Sequence, residues 1–147
     1  MKHVVGEYNL VLIVGAVLSL LAAALHVGAI IVGPAGYRFF GAGERFVRAV
    51  EAGKVFPAVV TSGIALVLLV WALYALSGAM VIDRLPLLRP ALVGITLVYL
   101  ARGLIGPFLL LNTGRSLSFI VVSSLICTGV GLVHCVGLVQ MWGRLAS

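Results

Sequence analysis

The sequence predicts an all-α integral membrane protein, a four-helix bundle with a short amphipathic interfacial helix between helices 1 and 2. Three observations predict it. Of 147 residues, 63% are hydrophobic and 10% charged, whereas a soluble domain carries roughly a quarter charged residues. Four apolar runs each reach the about 20 residues that a helix needs to cross a bilayer. Clusters of Gly, Pro and Asn separate those runs. Water could not solvate this much apolar surface, and open strands would leave edge amides without partners in lipid. A single four-span domain over residues 1–147 follows, with both termini on one side.

The first run, Leu10 to Val32, is longer than a signal-peptide core of roughly 7–15 residues and reads as a retained span. Gly33-Pro34 ends it. In the long connection that follows, Gly41-Ala42-Gly43 precedes Glu44-Arg45-Phe46-Val47-Arg48-Ala49-Val50-Glu51. Phe46, Val47 and Val50 share one helical face while Arg45, Arg48 and Glu51 point elsewhere, the pattern of a short helix lying in the interface. Phe39 and Phe40 are expected to dip into the membrane before it. The second run, Pro57 to Met80, opens on a proline that a first helical turn tolerates. Asp83 to Pro90 is a tight connection with two prolines, the third run extends from Leu87 to Leu111, and Asn112 to Ser116 turns into the fourth, Ser118 to Trp142. Tyr8, Phe56 and Trp142 near the ends suit an interfacial aromatic belt. Gly103, Gly106, Gly129 and Gly131 offer small positions where helices can approach closely.

Ten Lys and Arg against four acids give a net charge of +6. Nucleic acid is not the expected partner, because nine of the ten cations flank apolar runs, where each gains on the order of 1 kcal/mol from anionic headgroups. The charges do not orient the chain: Lys2, Arg84, Arg89 and Arg144 lie on the termini side, and Arg38, Arg45, Arg48, Lys54 and Arg115 on the long-loop side.

The tenth cation, Arg102, lies inside the third run, where a charge costs about 2.5–3.5 kcal/mol on insertion scales. It follows Thr96 and Tyr99 at spacings of three, so the three line one face. Such a residue faces the bundle interior and marks a site, or else snorkels to the interface and ties down carbonyls or Glu44. His26 lies six residues before Val32 and Arg102 nine before Leu111, both nearer the long-loop side. Thr61 and Ser62 open the second span there, and Ser123, Ser124 and Cys127 open the fourth. A polar chamber in the long-loop half is therefore expected, lined by Arg102, His26, Tyr99, Ser123 and Cys127 and covered by Tyr37, Arg38 and Glu44. The opposing reading treats the hydroxyls as interhelical glue at about 0.6 kcal/mol each.

No cofactor or metal is expected. Cys127, His134 and Cys135 share one helix, which cannot close a tetrahedral site alone. His26 and His134 differ in depth by about ten residues of helix rise, too far for the two axial ligands of one haem. A Cys-x-x-Cys pair for quinone-linked disulfide formation is missing, as is the embedded acid that small multidrug exchangers carry in their first helix. Gly41-Ala42-Gly43-Glu44 is only a fragment of a phosphate loop.

Tyr37 to Glu44, Trp71-Ala72-Leu73-Tyr74-Ala75-Leu76-Ser77-Gly78-Ala79, and Leu85-Pro86-Leu87-Leu88-Arg89 resemble a group of small bacterial inner-membrane proteins of unknown function. The likeness covers most of the chain and extends to Tyr99 and Arg102-Gly103-Leu104. It implies four spans and an inner-membrane location, and carries no catalytic residue. The expected function is a binding protein for a membrane lipid or anionic amphiphile, Arg102 countering the anion and His26 and Tyr99 donating hydrogen bonds. In a lipid-processing variant of this reading, His26 and Glu44 are the acid–base candidates. The rivals are a structural subunit packed against a second copy or a larger membrane protein, and a small transporter.

Overall fold

The computed structural model describes residues 8–146, and over these the chain is helical with no strand. Lys2 lies outside the described residues. The helices are α1 (Leu10–Val32), α2 (Pro34–Phe39), α3 (Glu44–Glu51), α4 (Phe56–Gly78), α5 (Leu88–Leu104), α6 (Gly106–Leu110) and α7 (Leu117–Met141), followed by a 3-10 turn over Arg144–Ala146. Three of them, α1, α4 and α7, are long and apolar enough to cross a membrane.

Local chemistry sets the ends of α1. The Leu12 amide donates to the Asn9 side chain at 2.8 Å, which caps the start. At the other end Gly33 takes φ +77°, a left-handed turn that favours glycine, and its amide donates to the Ala29 carbonyl. Pro34 then restarts a helix at its first position, so the chain turns directly into α2. The helix expected at Glu44 to Glu51 is α3: Val47 is buried, whereas Arg45, Arg48 and Glu51 are exposed.

The third predicted span is interrupted. Helix α5 stops at Leu104 and α6 resumes at Gly106. Pro107 has no N–H to donate to the Gly103 carbonyl one turn earlier, so the ladder opens there.

Helix α1 packs chiefly against α4, and α5 against α7, with α1 and α7 also in contact. Neighbours run antiparallel. The Asn9 amide donates to the Ala79 carbonyl at 3.0 Å, joining the start of α1 to the end of α4. Arg89 at the start of α5 lies 3.6 Å over the Trp142 ring beyond α7. Small residues let the backbones approach: Ala16, Ala72 and Ala75 form a tight seam between α1 and α4. A Cβ at Gly103 would meet the Thr128 amide nitrogen at 2.6 Å, so α5 and α7 cross backbone to backbone. Outward positions such as Leu21, Leu25, Leu66, Leu73, Leu125 and Val139 are exposed and apolar. This inversion suits a lipid solvent and would be an aggregation liability in water.

One end of the molecule therefore gathers Asn9, Ala79, Arg89 and Trp142. The other gathers α2, α3, the α5–α6 break and the 112–116 turn. Tyr37 of α2 is 3% exposed, and its hydroxyl donates to Thr61 Oγ1 at 3.1 Å, tying the long loop to the first turn and a half of α4. Rings of Tyr37, Phe46 and Phe56 continue that seam, with centroids 6.4 and 5.5 Å apart.

Candidate functional site

The sequence-predicted site residues separate into three places. Arg102, in the last turn of α5, is half-buried and its Nη2 donates to Ser123 Oγ on α7 at 3.3 Å. The Ser123 hydroxyl passes its own proton toward the Ile120 carbonyl, also at 3.3 Å. Cys127 is one turn further along α7 on the same side, half-buried and unoxidised. Arg102 Nη1 is buried yet has no hydrogen-bond partner. It rests over Gly106, where an added Cβ would come within 2.6 Å of it, so the helix break forms the floor beneath the guanidinium.

Tyr99 belongs to a separate layer nearer the middle of the helices. Its hydroxyl shares a 2.8 Å hydrogen bond with Ser19, and its ring contacts Trp71 edge-on at 5.0 Å and His134 at 5.2 Å. His134 is fully buried against Gly15, with a hydrogen bond of 2.9 Å from Nδ1 to the Val130 carbonyl. A carbonyl only accepts, so Nδ1 carries the proton, and a neutral ring leaves Nε2 as a lone-pair acceptor; that atom has no partner. Sequence reasoning placed His134 away from His26 in depth but had no signal for its packing on Tyr99, because that contact depends on Gly15 of another helix.

His26, Arg38 and Glu44 are elsewhere. His26 Nδ1 donates to the Ala22 carbonyl of its own helix at 2.7 Å. Arg38 pairs with Glu51 at 2.9 Å, both side chains about half exposed. Glu44 is exposed in the first turn of α3, where a carboxylate suits the helix dipole. Neither Arg102 nor Arg115 forms an ion pair with a carboxylate among the described residues.

Arg115 is the residue that sequence reasoning left among the loop charges. It is half-buried in the turn before α7, its Nη2 reaches the Ala42 carbonyl at 3.5 Å, and its Nε is buried without a partner. Burial pushes its guanidinium below the ordinary arginine range, and repulsion from Arg102 adds to that. The signal that could have found it is the scarcity of acids: ten cations share four carboxylates. Two guanidiniums close enough to repel, each with a buried N–H unused, can hold an anion and cannot hold a cation. No three His, Cys, Asp or Glu side chains converge as metal ligands among the described residues. No protein-family model, curated protein or solved structure matches the chain.

Proposed function

We propose that the chain is a four-span protein of a bacterial inner membrane that binds a lipid or other anionic amphiphile in its long-loop half. Helices α5 and α6 together run from Leu88 to Leu110, long enough to cross a hydrocarbon core of about 30 Å. With α1, α4 and α7 they form a four-helix bundle, and α3 lies in the interface. Ser123 orients Arg102, Cys127 lines the wall, and the Tyr99–His134 layer closes the inner end. Tyr37 pins the long loop over the opening, and Phe39, 83% exposed, reaches into lipid.

The observation that carries this reading is the unused Nη1 donor of Arg102. A buried charged donor left unpaired costs more than the 1–3 kcal/mol of a neutral one, and no carboxylate among the described residues relieves it. An anion from outside does. Native mass spectrometry of the gently purified protein tests this: a bound anionic amphiphile is expected in the unaltered chain and absent from Arg102→Ala. A bare unaltered chain, or a ligand that persists in Arg102→Ala, contradicts the reading.

A further inference from the structure

Two guanidiniums, one from α5 and one from the turn before α7, lie against the first turns of α7. Arg115 lies over the Phe119 ring at 5.7 Å. Ser123, which accepts from Arg102, is four residues beyond Phe119, and such neighbours stand about 5–6 Å apart on a helix surface. The long loop crosses this face. A Cβ at Gly41 would run into the Phe119 ring, and one at Gly43 would come within 3.9 Å of Arg115 Cγ and Nε. The two arginines therefore lie along one side of the start of α7, between the α5–α6 break and the Gly41–Gly43 backbone. Each carries one buried nitrogen without a hydrogen-bond partner.

The carboxylates among the described residues do not supply the missing charge. Glu51 is engaged by Arg38, and Asp83 is in the α4–α5 connection at the opposite end. Glu44, adjacent to Gly43, is exposed and unpaired with either arginine.

We propose that Arg102 and Arg115 are two arms of one site for a phosphate monoester dianion. The inference rests on the anionic-amphiphile reading above and names its headgroup. A carboxylate or phosphodiester brings one negative charge and leaves the pair with a net positive charge. A phosphate monoester carries about −1.5 to −2 at pH 7 and three strong acceptor oxygens. Planar guanidinium forks match those oxygens, so two oxygens satisfy the two orphan donors while Ser123 retains the other arm of Arg102. The same chemistry is offered by a lipid headgroup and by a water-soluble phosphate monoester.

The test is thermal unfolding of the full chain in uncharged detergent, titrated separately with phosphatidate, phosphatidylglycerol and inorganic phosphate. Phosphatidate is expected to bind at least about tenfold more tightly than phosphatidylglycerol, a difference of about 1.4 kcal/mol. Arg115→Gln is expected to bring that ratio near one by weakening phosphatidate alone. Glu44→Gln is expected to leave the ratio unchanged or raise it. If Arg115→Gln does not accumulate, Arg115→Lys carries the test, since it keeps the charge and loses the fork. Protection by inorganic phosphate equal to that by phosphatidate supports the site with a soluble source. Protection by phosphatidate alone supports a lipid source. Equal affinity for the two lipids in the unaltered chain, or a ratio unchanged in the Arg115 variant, overturns the dianion assignment and leaves the anionic-amphiphile reading standing. Loss of the preference in Glu44→Gln makes Glu44 part of the site and also overturns it. Binding of no anionic lipid removes both.

Discussion

Alanine at Gly103 and alanine at Gly129 make the same chemical change at two helix-interior glycines, and the structure separates their effects. At Gly129 nothing lies within 4 Å of the added Cβ. The substitution should leave stability unchanged or raise it by up to about 1 kcal/mol, the helix-propensity difference. At Gly103 the Cβ meets the Thr128 amide nitrogen at 2.6 Å and its Cα at 2.9 Å. These are backbone atoms that cannot rotate aside, so ordinary contact requires α5 and α7 to separate by somewhat under about 1 Å. Overpacking of this kind costs about 1–3 kcal/mol, and the propensity gain offsets at most about 1 of it. A net loss of about 1–2 kcal/mol is expected for Gly103→Ala. The separation also stretches the 3.3 Å contact between Arg102 and Ser123 beyond hydrogen-bonding distance. Gly103→Ala should therefore weaken ligand binding while leaving the Arg102 and Ser123 side chains unchanged. Thermal unfolding of both variants in the same detergent, with and without anionic lipid, is the assay. Equal stability of the two variants would refute the α5–α7 crossing on which the Arg102 site depends.

Other positions give separate tests by the same unfolding measurement. Asn9→Ala removes the α1 cap and the 2.8 Å bond to Gln140, with an expected loss of about 1 kcal/mol; Arg38→Ala breaks only an exposed ion pair and should cost about 0–1 kcal/mol. Tyr37→Phe deletes the hydroxyl bonded to Thr61, but Thr61 still donates to the Pro57 carbonyl at 2.7 Å, so no donor is orphaned and the loss should be about 0.5–1.5 kcal/mol. Leu87 has φ +53° and a 78% exposed side chain; glycine there relieves a left-handed strain of about 1–2 kcal/mol against a larger chain entropy, for a net gain of about 0.5 kcal/mol. A loss of stability in Leu87→Gly would contradict that backbone assignment.

Local signals made much of the architecture legible. The apolar run from Leu10 and the Gly33-Pro34 pair bound the first span in the sequence, and α1 has the predicted limits. The alternation of charged and apolar residues from Glu44 to Glu51 announced α3. Gly33-Pro34 does end α1, but the same proline also opens α2, because a proline that follows one helix is equally suited to start the next. The break at Ile105 was missed for a related reason: apolar composition runs unbroken from Leu97 to Leu111 apart from Arg102, and Pro107 acts through the hydrogen-bond ladder rather than through hydropathy. At the site, the depth of Arg102 and its proximity to Ser123 followed from counting along helices. The positions of Tyr99 and Arg115 did not. Tyr99 is drawn to Ser19 and His134 by the way α1, α5 and α7 cross, and Arg115 is drawn in by the loop from Gly41 to Gly43. Both depend on contacts between residues far apart in sequence.

If the half-buried Arg102 guanidinium is neutralised from outside the chain, its charge destabilises the empty protein, and the stability of Arg102→Gln with and without anionic lipid reads that charge. In uncharged detergent alone, Arg102→Gln should be at least as stable as the unaltered protein, because it removes an uncompensated buried charge. With anionic lipid added, the unaltered protein should gain stability and overtake the variant, whose midpoint stays put. An Arg102→Gln variant destabilised equally in both conditions would make Arg102 an interhelical tie and contradict the binding account.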